Sequence, residues 1–248
     1  MIPKKIHYCW FGRKTLPKIA KKCIASWKTF LPDYEVIEWN ENKFDINCCD
    51  YVKEAYQAKK YAFVSDYARF KILYEYGGIY FDTDVELIKS IDDIIKKGPF
   101  MGFESDNDVA PGLGLAVNPG LGLYKEFIDM YNKIHFIDSE GKLNLKTVVQ
   151  YTTEILYKYG LQKKNEIQYI RGVYVYPKDY FNPIEHETGK IILTENTRSI
   201  HHFMASWCSF TSRKRGKFYQ FLARCFNKKT ADFIKKVWHK IKFFKLKK

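Results

Sequence analysis

Gly77-Gly78 separates two apolar patterns that no single element can satisfy. Upstream, Phe63, Tyr67, Phe70 and Tyr74 recur at spacings of four, three and four, which sets one stripe of a helix against a core. Downstream, Ile79-Tyr80-Phe81 is a short unbroken apolar run, as expected of a strand covered on both faces. Glycine suits the junction, because a helix C-terminus commonly needs backbone that side-chain-bearing residues avoid. The pattern predicts helix 61–76, a stop, strand 79–82, and then Asp82 and Asp84 where the strand ends. In open α/β sheets, ligands bind at that carboxyl end.

Alternate residues of an extended chain share a side, so Asp82 and Asp84 are expected to project together with Thr83 opposed. Two such charges repel unless a cation lies beside them. Hard oxygen donors select Mg²⁺ or Mn²⁺, ions that bind few carboxylates together with a substrate's phosphates. The pair is therefore a candidate metal–diphosphate site. Asp66 and Arg69 stand three apart on the preceding helix, neighbours on one face at the edge of the apolar stripe.

The remaining elements read as α/β. Strand 5–11 precedes a helix over 17–30 opened by Pro17, then strand 34–39 and a helix over 49–58. Beyond the motif come a short helix 91–95, strands 99–103 and 113–117, helices 121–134 and 146–158, and short strands around 168–176 and 190–194. Gly112 and Gly114 suggest close backbone approach, but no complete G-x-G-x-x-G follows a strand. With 248 residues and 46% hydrophobic content, one large core is within reach. The expected division is a catalytic domain over 1–210 and a tail over 211–248.

Six cysteines form no C-x-x-C pair, and Cys48-Cys49 are too close in sequence for an ordinary disulfide. Buried thiols in a reducing cytoplasm are expected. The N-terminus enters a strand almost at once, and nowhere do eighteen apolar residues run together.

Charge is uneven. Residues 213–248 hold fourteen Lys/Arg and one acidic residue, Asp232, so they carry +13 of the chain's +14. Phe218, Phe221, Leu222, Cys225 and Phe226 recur there at helical spacing, as do Phe233, Ile234, Val237, Trp238, Ile241 and Phe244. A basic helix with one apolar face suits an anionic membrane surface, or else packs on the domain. Nucleic acid is not an expected partner, since no recognised module accompanies the charge.

The string Ala62-Phe-Val-Ser-Asp66-Tyr-Ala-Arg69 through Tyr76-Gly77-Gly78-Ile-Tyr80-Phe-Asp82-Thr-Asp84 resembles the sugar-binding region of glycosyltransferase family 32. Lys5-Ile-His-Tyr-Cys-Trp10-Phe-Gly12 is similar to that family's opening strand, and Ile200-His-His202-Phe-Met-Ala-Ser206-Trp207 to its closing element. The resemblance implies an A-type glycosyltransferase fold, Rossmann-like with a mixed central sheet. It implies transfer of a hexose, with retention, from a nucleoside diphosphate sugar to a glycan or lipid-linked acceptor, as in bacterial capsule and lipopolysaccharide synthesis. UDP-galactose or UDP-glucose is the expected donor, with GDP-mannose the competitor. The resemblance puts the metal on Asp84 directly, and has Asp82 reach the metal through water or hold the ribose. It puts the donor sugar on Asp66 and Arg69, the base on Trp10, and further donor contacts on Tyr80, Ser206 and Trp207.

His202 stands where relatives place a late metal ligand. An imidazole ligand tilts the expected cofactor toward Mn²⁺ over Mg²⁺. His201 points oppositely if the segment is extended, so only one of the two ligates, and His202 is the choice. Relatives' Thr-Gly-Pro signature is replaced here by Leu145-Lys-Thr-Val-Val-Gln150, so no acceptor residue is assigned. The yeast relatives carry an N-terminal membrane anchor that this chain lacks, which favours a bacterial enzyme peripheral on the cytoplasmic face of the membrane. Two other readings stand beside this one. Phe81-Asp-Thr-Asp-Val resembles the nucleophile strand of haloacid-dehalogenase-like phosphatases, with Asp82 attacking. A noncatalytic basic membrane-binding module would account for the tail alone.

Overall fold

Strand alternation builds this molecule from the sheet outward. The computed structural model describes residues 1–185, 187–204, 218–221, 223 and 224. In chain order the elements are β1 (Lys5–Cys9), α1 (Lys18–Phe30), β2 (Glu35–Trp39), α2 (Asp50–Gln57), α3 (Tyr61–Tyr76), β3 (Gly78–Tyr80), β4 (Val85–Leu87) and α4 (Asp92–Lys97). There follow β5 (Phe100–Gly102), β6 (Leu115–Val117), α5 (Gly122–Tyr131), α6 (Val148–Lys158), β7 (Gln168–Ile170), β8 (Val173–Tyr176), α7 (Lys178–Phe181) and β9 (Ser199–His201). Among the described residues, seven strands form one mixed sheet in the order β2-β1-β3-β6-β5-β8-β7, while β4 and β9 pair separately.

β1, β2, β3, β5 and β8 run parallel, with β6 inserted antiparallel between β3 and β5. Successive side chains alternate between two cores, as the pleat requires. Ile6, Tyr8, Ile79, Phe81, Phe100 and Ala116 face the core that holds Cys23 and Trp27 of α1 and Phe181 of α7. Cys9, Tyr80, Met101, Leu115, Val117 and Val175 face the core covered by α2, α3, α5 and α6. On that side Phe70 of α3 stacks on Phe127 of α5 with ring centroids 4.4 Å apart. Such a pair contributes about 0.5–1.5 kcal/mol beyond the area it buries.

The helix and strand around Gly77-Gly78 lie where the two periodicities put them. Gly77 has φ +61° and Gly78 φ +98°. A Cβ on Gly77 would stand 2.6 Å from Pro119, and one on Gly78 would stand 2.7 Å from the Lys5 carbonyl oxygen, so both positions require glycine. Two expectations need correction. α3 is not an edge helix: it is sandwiched between sheet, α2 and α5, so Asp66 and Arg69 are buried among its apolar residues rather than beside them. No strand spans 190–194, where Ile191 makes only an isolated bridge to Ile184. The β4–β9 ladder was not anticipated, because three-residue strands carry too little periodicity to read.

Residues 1–183 and 193–204 form one compact unit. Residues 184–192 belong to a second, with chain after 204; there Arg224 donates to the Thr188 and Gly189 carbonyls. Most of the expected basic helix over 213–248 lies outside the described residues. No helix of the described residues is long and apolar enough to cross a membrane.

One buried polar residue pins the sheet to α3. His7 on β1 has no exposed surface. Its Nε2–H donates to the Gly77 carbonyl at 3.0 Å, and its Nδ1 accepts from the Trp39 indole at 3.0 Å. Both nitrogens are satisfied only in the neutral ring, since a second proton would meet the indole N–H. Burial, opposed in part by the Gly77 bond, pushes His7 down to about 4. The unfolded chain therefore takes up a proton near pH 6.5 that the folded one refuses until about pH 4. Stability should fall as pH drops through that window, by roughly 1.4 kcal/mol per unit at most. Denaturant unfolding at pH 7 and pH 5 will measure the slope. His7→Gln, which cannot titrate, should lower stability overall and flatten the pH dependence.

Candidate active site

Beyond Phe81, whose N–H still reaches the His7 carbonyl at 3.2 Å, the chain leaves β1. Asp82 N–H instead donates to the Gly112 carbonyl at 3.1 Å, and Val85 N–H donates back to the Asp82 carbonyl at 3.1 Å. Asp82 and Asp84 thus sit on a turn, not on the extended strand expected from their spacing. The turn still brings them together, because β4 resumes at once and is held from below: the Trp27 indole donates to the Val85 carbonyl at 2.7 Å, and Leu87 N–H donates to Ser26 Oγ at 2.9 Å.

Arg69 organises one half of the site. The residue is 3% exposed, with Nη2 2.8 Å from Asp66 Oδ1 and 3.3 Å from Asp82 Oδ1, while Nε donates to the Ser65 carbonyl at 3.1 Å. It also lies 4.9 Å from the centre of the Tyr80 ring. Burial raises the Tyr80 phenol well above its usual range, so it stays protonated and donates to Asp82 Oδ1 at 3.0 Å. Burial also pushes Asp66 up to about 7; Arg69 opposes the rise and the Asp82 charge adds to it.

Gly112 completes this half, and the sequence hinted at it only as a glycine in a Gly-x-Gly run. A Cβ there would lie 2.0 Å from Asp82 Oδ2 and 3.4 Å from Arg69 Nη1. The backbone of the β5–β6 connection therefore rests against the carboxylate and limits its rotation.

The other half is built on the β4–β9 ladder, which pairs Val85 with His201. Asp84 Oδ1 is 3.1 Å from His201 Nε2, and Oδ2 accepts the Met204 N–H at 2.7 Å. Burial works to raise Asp84, but the imidazole and that N–H outweigh it and hold the carboxyl below its usual range. Burial likewise works to lower His201, and the Asp84 charge overrides it upward.

Of the two adjacent histidines, it is His201 that reaches the aspartates, in place of His202. His202 Nε2 lies 2.8 Å from Glu86 Oε2, which in turn meets Lys22 Nζ with its other oxygen at 2.8 Å. Neighbours along an extended chain point oppositely, so seating His201 on Asp84 sends His202 away.

One ligand atom from each of Asp82, Asp84 and His201 can lie within 4.8 Å of the others. His201 Nδ1 is buried with no hydrogen-bond partner among the described residues. Two carboxylates and one imidazole, whose Nδ1 is buried without a partner among the described residues, fit a divalent cation of the Mn²⁺ or Mg²⁺ kind. Trp10 follows β1 at the same sheet edge; its backbone N–H bonds the Trp39 carbonyl at 2.8 Å and its indole N–H the Lys14 carbonyl at 2.5 Å. Ser206 and Trp207 lie outside the described residues.

Residues 17–101 match the model of the glycosyltransferase sugar-binding region containing a DXD motif. The chain is 35% identical over 101 residues to inositol phosphoceramide mannosyltransferase 3 of Schizosaccharomyces pombe, a match covering 38% of this chain and 27% of the relative. It is 30% identical over 111 residues to subversion of eukaryotic traffic protein A of Legionella pneumophila, covering 34% of this chain and 17% of that protein. The matched stretch is thus a minor part of either relative. Among solved structures, PaToxG glycosyltransferase aligns with a TM-score of 0.49 and 20% identity over 63% of this chain and 69% of its own. A glycosyltransferase involved in glycosylation of the major capsid of PBCV-1 aligns with a TM-score of 0.47 and 13% identity over 86% and 98%. The mixed sheet, with its motif carboxylates at the carboxyl edge, fits an A-type glycosyltransferase fold.

Gly112→Ala tests the constraint on Asp82. The added methyl should displace that carboxylate while far-ultraviolet circular dichroism stays unchanged. The rise in melting temperature caused by Mn²⁺ should shrink, corresponding to at least tenfold weaker binding, or about 1.4 kcal/mol. Gly122→Ala, where nothing stands within 4 Å of a new Cβ and φ is likewise outside the left-handed region, controls for the glycine-to-alanine change itself.

Proposed function

We propose that this chain is a glycosyltransferase family 32-like protein that transfers a hexose from a nucleoside diphosphate sugar to a glycan or lipid-linked acceptor with a divalent cation at Asp82, Asp84 and His201. The observation that carries this reading is the convergence of those three side chains beside a buried Asp66–Arg69 pair. When bound, the cation would supply Lewis-acid stabilisation of the diphosphate leaving group.

The protein's own groups complete the task. Arg69 and Tyr80 hold Asp82 in one rotamer, and Gly112 backs it. Held in this way, Asp82 is suited to orienting a ligand rather than to attacking phosphorus, which favours sugar transfer over the phosphatase reading. Met204 N–H and His201 hold Asp84 ionised, so its charge is available near neutral pH. Donor-sugar contacts for Asp66 and Arg69 are proposed from the family resemblance; the pair is nearly fully buried and braces Asp82. Trp10 offers an aromatic surface for the base, and base stacking can contribute about 1–3 kcal/mol. Retention of configuration, and roles for Ser206 and Trp207 at the leaving group, rest on the family resemblance alone.

The donor is proposed to be UDP-galactose or UDP-glucose. GDP-mannose is the rival, and similarity to a mannosyltransferase gives it a place in the same test. Membrane contact is proposed through 213–248, whose charge suits an anionic leaflet, at about 1 kcal/mol per basic residue near the surface. The enzyme would then work at the cytoplasmic face, on an acceptor used in surface polysaccharide synthesis.

Three outcomes are expected. Thermal-shift screening of nucleotide sugars with Mn²⁺ should single out one donor, and its slow hydrolysis should need the metal. Asp84→Ala should reduce that hydrolysis by at least a hundredfold, and His201→Ala should weaken Mn²⁺ binding far more than His202→Ala; equal effects of the two histidines would remove His201 from the ligand set. In flotation assays, replacing Lys235, Lys236, Lys240 and Lys242 with Gln should release the protein from phosphatidylglycerol vesicles while hydrolysis of the donor persists.

A further inference from the structure

A lysine-lined cavity opens on the same sheet edge, and none of the chemistry above uses it. It measures about 240 Å³ and is lined by Lys163, Lys164, Lys178, Asn165, Ser105 and Asp106. At roughly 30 Å³ per water it has room for about eight waters, enough for a phosphate group and part of what it esterifies. Sites for whole drug-sized ligands run from about 300 Å³ upward, so a complete nucleotide sugar is too large for it.

Its place follows from the topology. β5 and β8 run parallel to β1 and β3, so the chain after Gly102 and after Tyr176 emerges on the edge that carries Asp82. Gln168 pairs with Val175, which brings the preceding residues 163–165 to that edge as well. Glu104 stands in the chain between Phe103 and Ser105, both of which line the cavity. The Asn182 amide fixes the Glu104 carbonyl at 2.8 Å. Cavity and candidate active site therefore share one sheet edge within one compact unit.

Its chemistry is anionic recognition. Three ammonium groups line it against one carboxylate, Asp106. Lys164 leans toward Glu166 at 3.7 Å, Lys163 sits 5.9 Å from the Tyr157 ring centre, and Lys178 makes no ion pair among the described residues. The facing loop is already shaped: Ser105 Oγ donates to Asp108 Oδ2 at 2.8 Å and accepts the N–H groups of Asn107 and Asp108 at 3.2 and 3.1 Å. A preformed loop costs little ordering on binding. Lysines act as strong point charges toward phosphate oxygens.

We propose that this cavity is the acceptor-side subsite and binds a phosphate ester carried by the acceptor. It rests on the glycosyltransferase reading for the word acceptor, but phosphate binding is tested without that reading. The phosphate belongs either to a lipid headgroup or to a soluble phosphorylated sugar.

Calorimetry on the full chain in EDTA, with inorganic phosphate as probe, is the first measurement. Lys163→Gln/Lys178→Gln should weaken binding at least tenfold, Lys163→Glu/Lys178→Glu should abolish it, Asp106→Asn should tighten it, and Asp84→Asn should leave it unchanged. Phosphate binding that is absent in the native chain, that survives the lysine changes, or that is lost in Asp84→Asn overturns the proposal. Dihexanoyl phosphatidic acid and glucose 1-phosphate then distinguish the sources: the tighter binder, if also lost in the lysine variants, names the class. Metal-dependent donor hydrolysis should be unchanged in Lys163→Gln/Lys178→Gln. Its absence from the native protein would refute glycosyl transfer while leaving the phosphate result to stand by itself.

Discussion

A buried guanidinium holds this site together. Arg69 gives up hydration on α3, and the structure returns it two carboxylates, a backbone carbonyl and an aromatic face. Those partners come from separate parts of the chain: Asp66 from the same helix, Asp82 and Tyr80 from the end of β3. Removing one partner of a buried pair typically costs about 3–5 kcal/mol, because the other charge stays desolvated. The position of Asp82 is thereby coupled to the packing of α3, and the packing of α3 to both cores. Among the described residues the site is an outgrowth of the core and not an addition to its surface.

The mixed sheet adds a second constraint. Antiparallel β6 sits between β3 and β5, so the chain that leads into β6 crosses the carboxyl edge directly over Asp82. Gly112 is the residue at that crossing. A larger residue there would collide with the carboxylate that Arg69 and Tyr80 hold, so glycine is required by that contact. The same topology carries the loop after β5 and the start of α7 to that edge, where the lysine-lined cavity opens.

The histidine half depends on a ladder of only three residue pairs. Asp84 and His201 are 117 positions apart in the chain. They meet because β9 pairs with β4, and β4 is fastened to α1 by the Trp27 indole and the Ser26 hydroxyl. Seating His201 on Asp84 commits His202 to Glu86. A shift of one residue in that register would exchange the two histidines, since each step along a strand reverses the side.

Local chemistry along the chain was enough to determine α3, its glycine stop, β3, and the presence of Asp66, Arg69, Asp82 and Asp84 in one motif. Each of those depends on periodicity or on residues within a few positions, where steric and hydrophobic rules act directly. Tertiary structure alone decided that Asp66 and Arg69 are buried, that the aspartates lie on a turn, that His201 faces them, and that Gly112 closes over Asp82. Those outcomes depend on pairing register and on contacts across tens of residues. The bonds that settle them form only after the sheet has brought distant segments side by side.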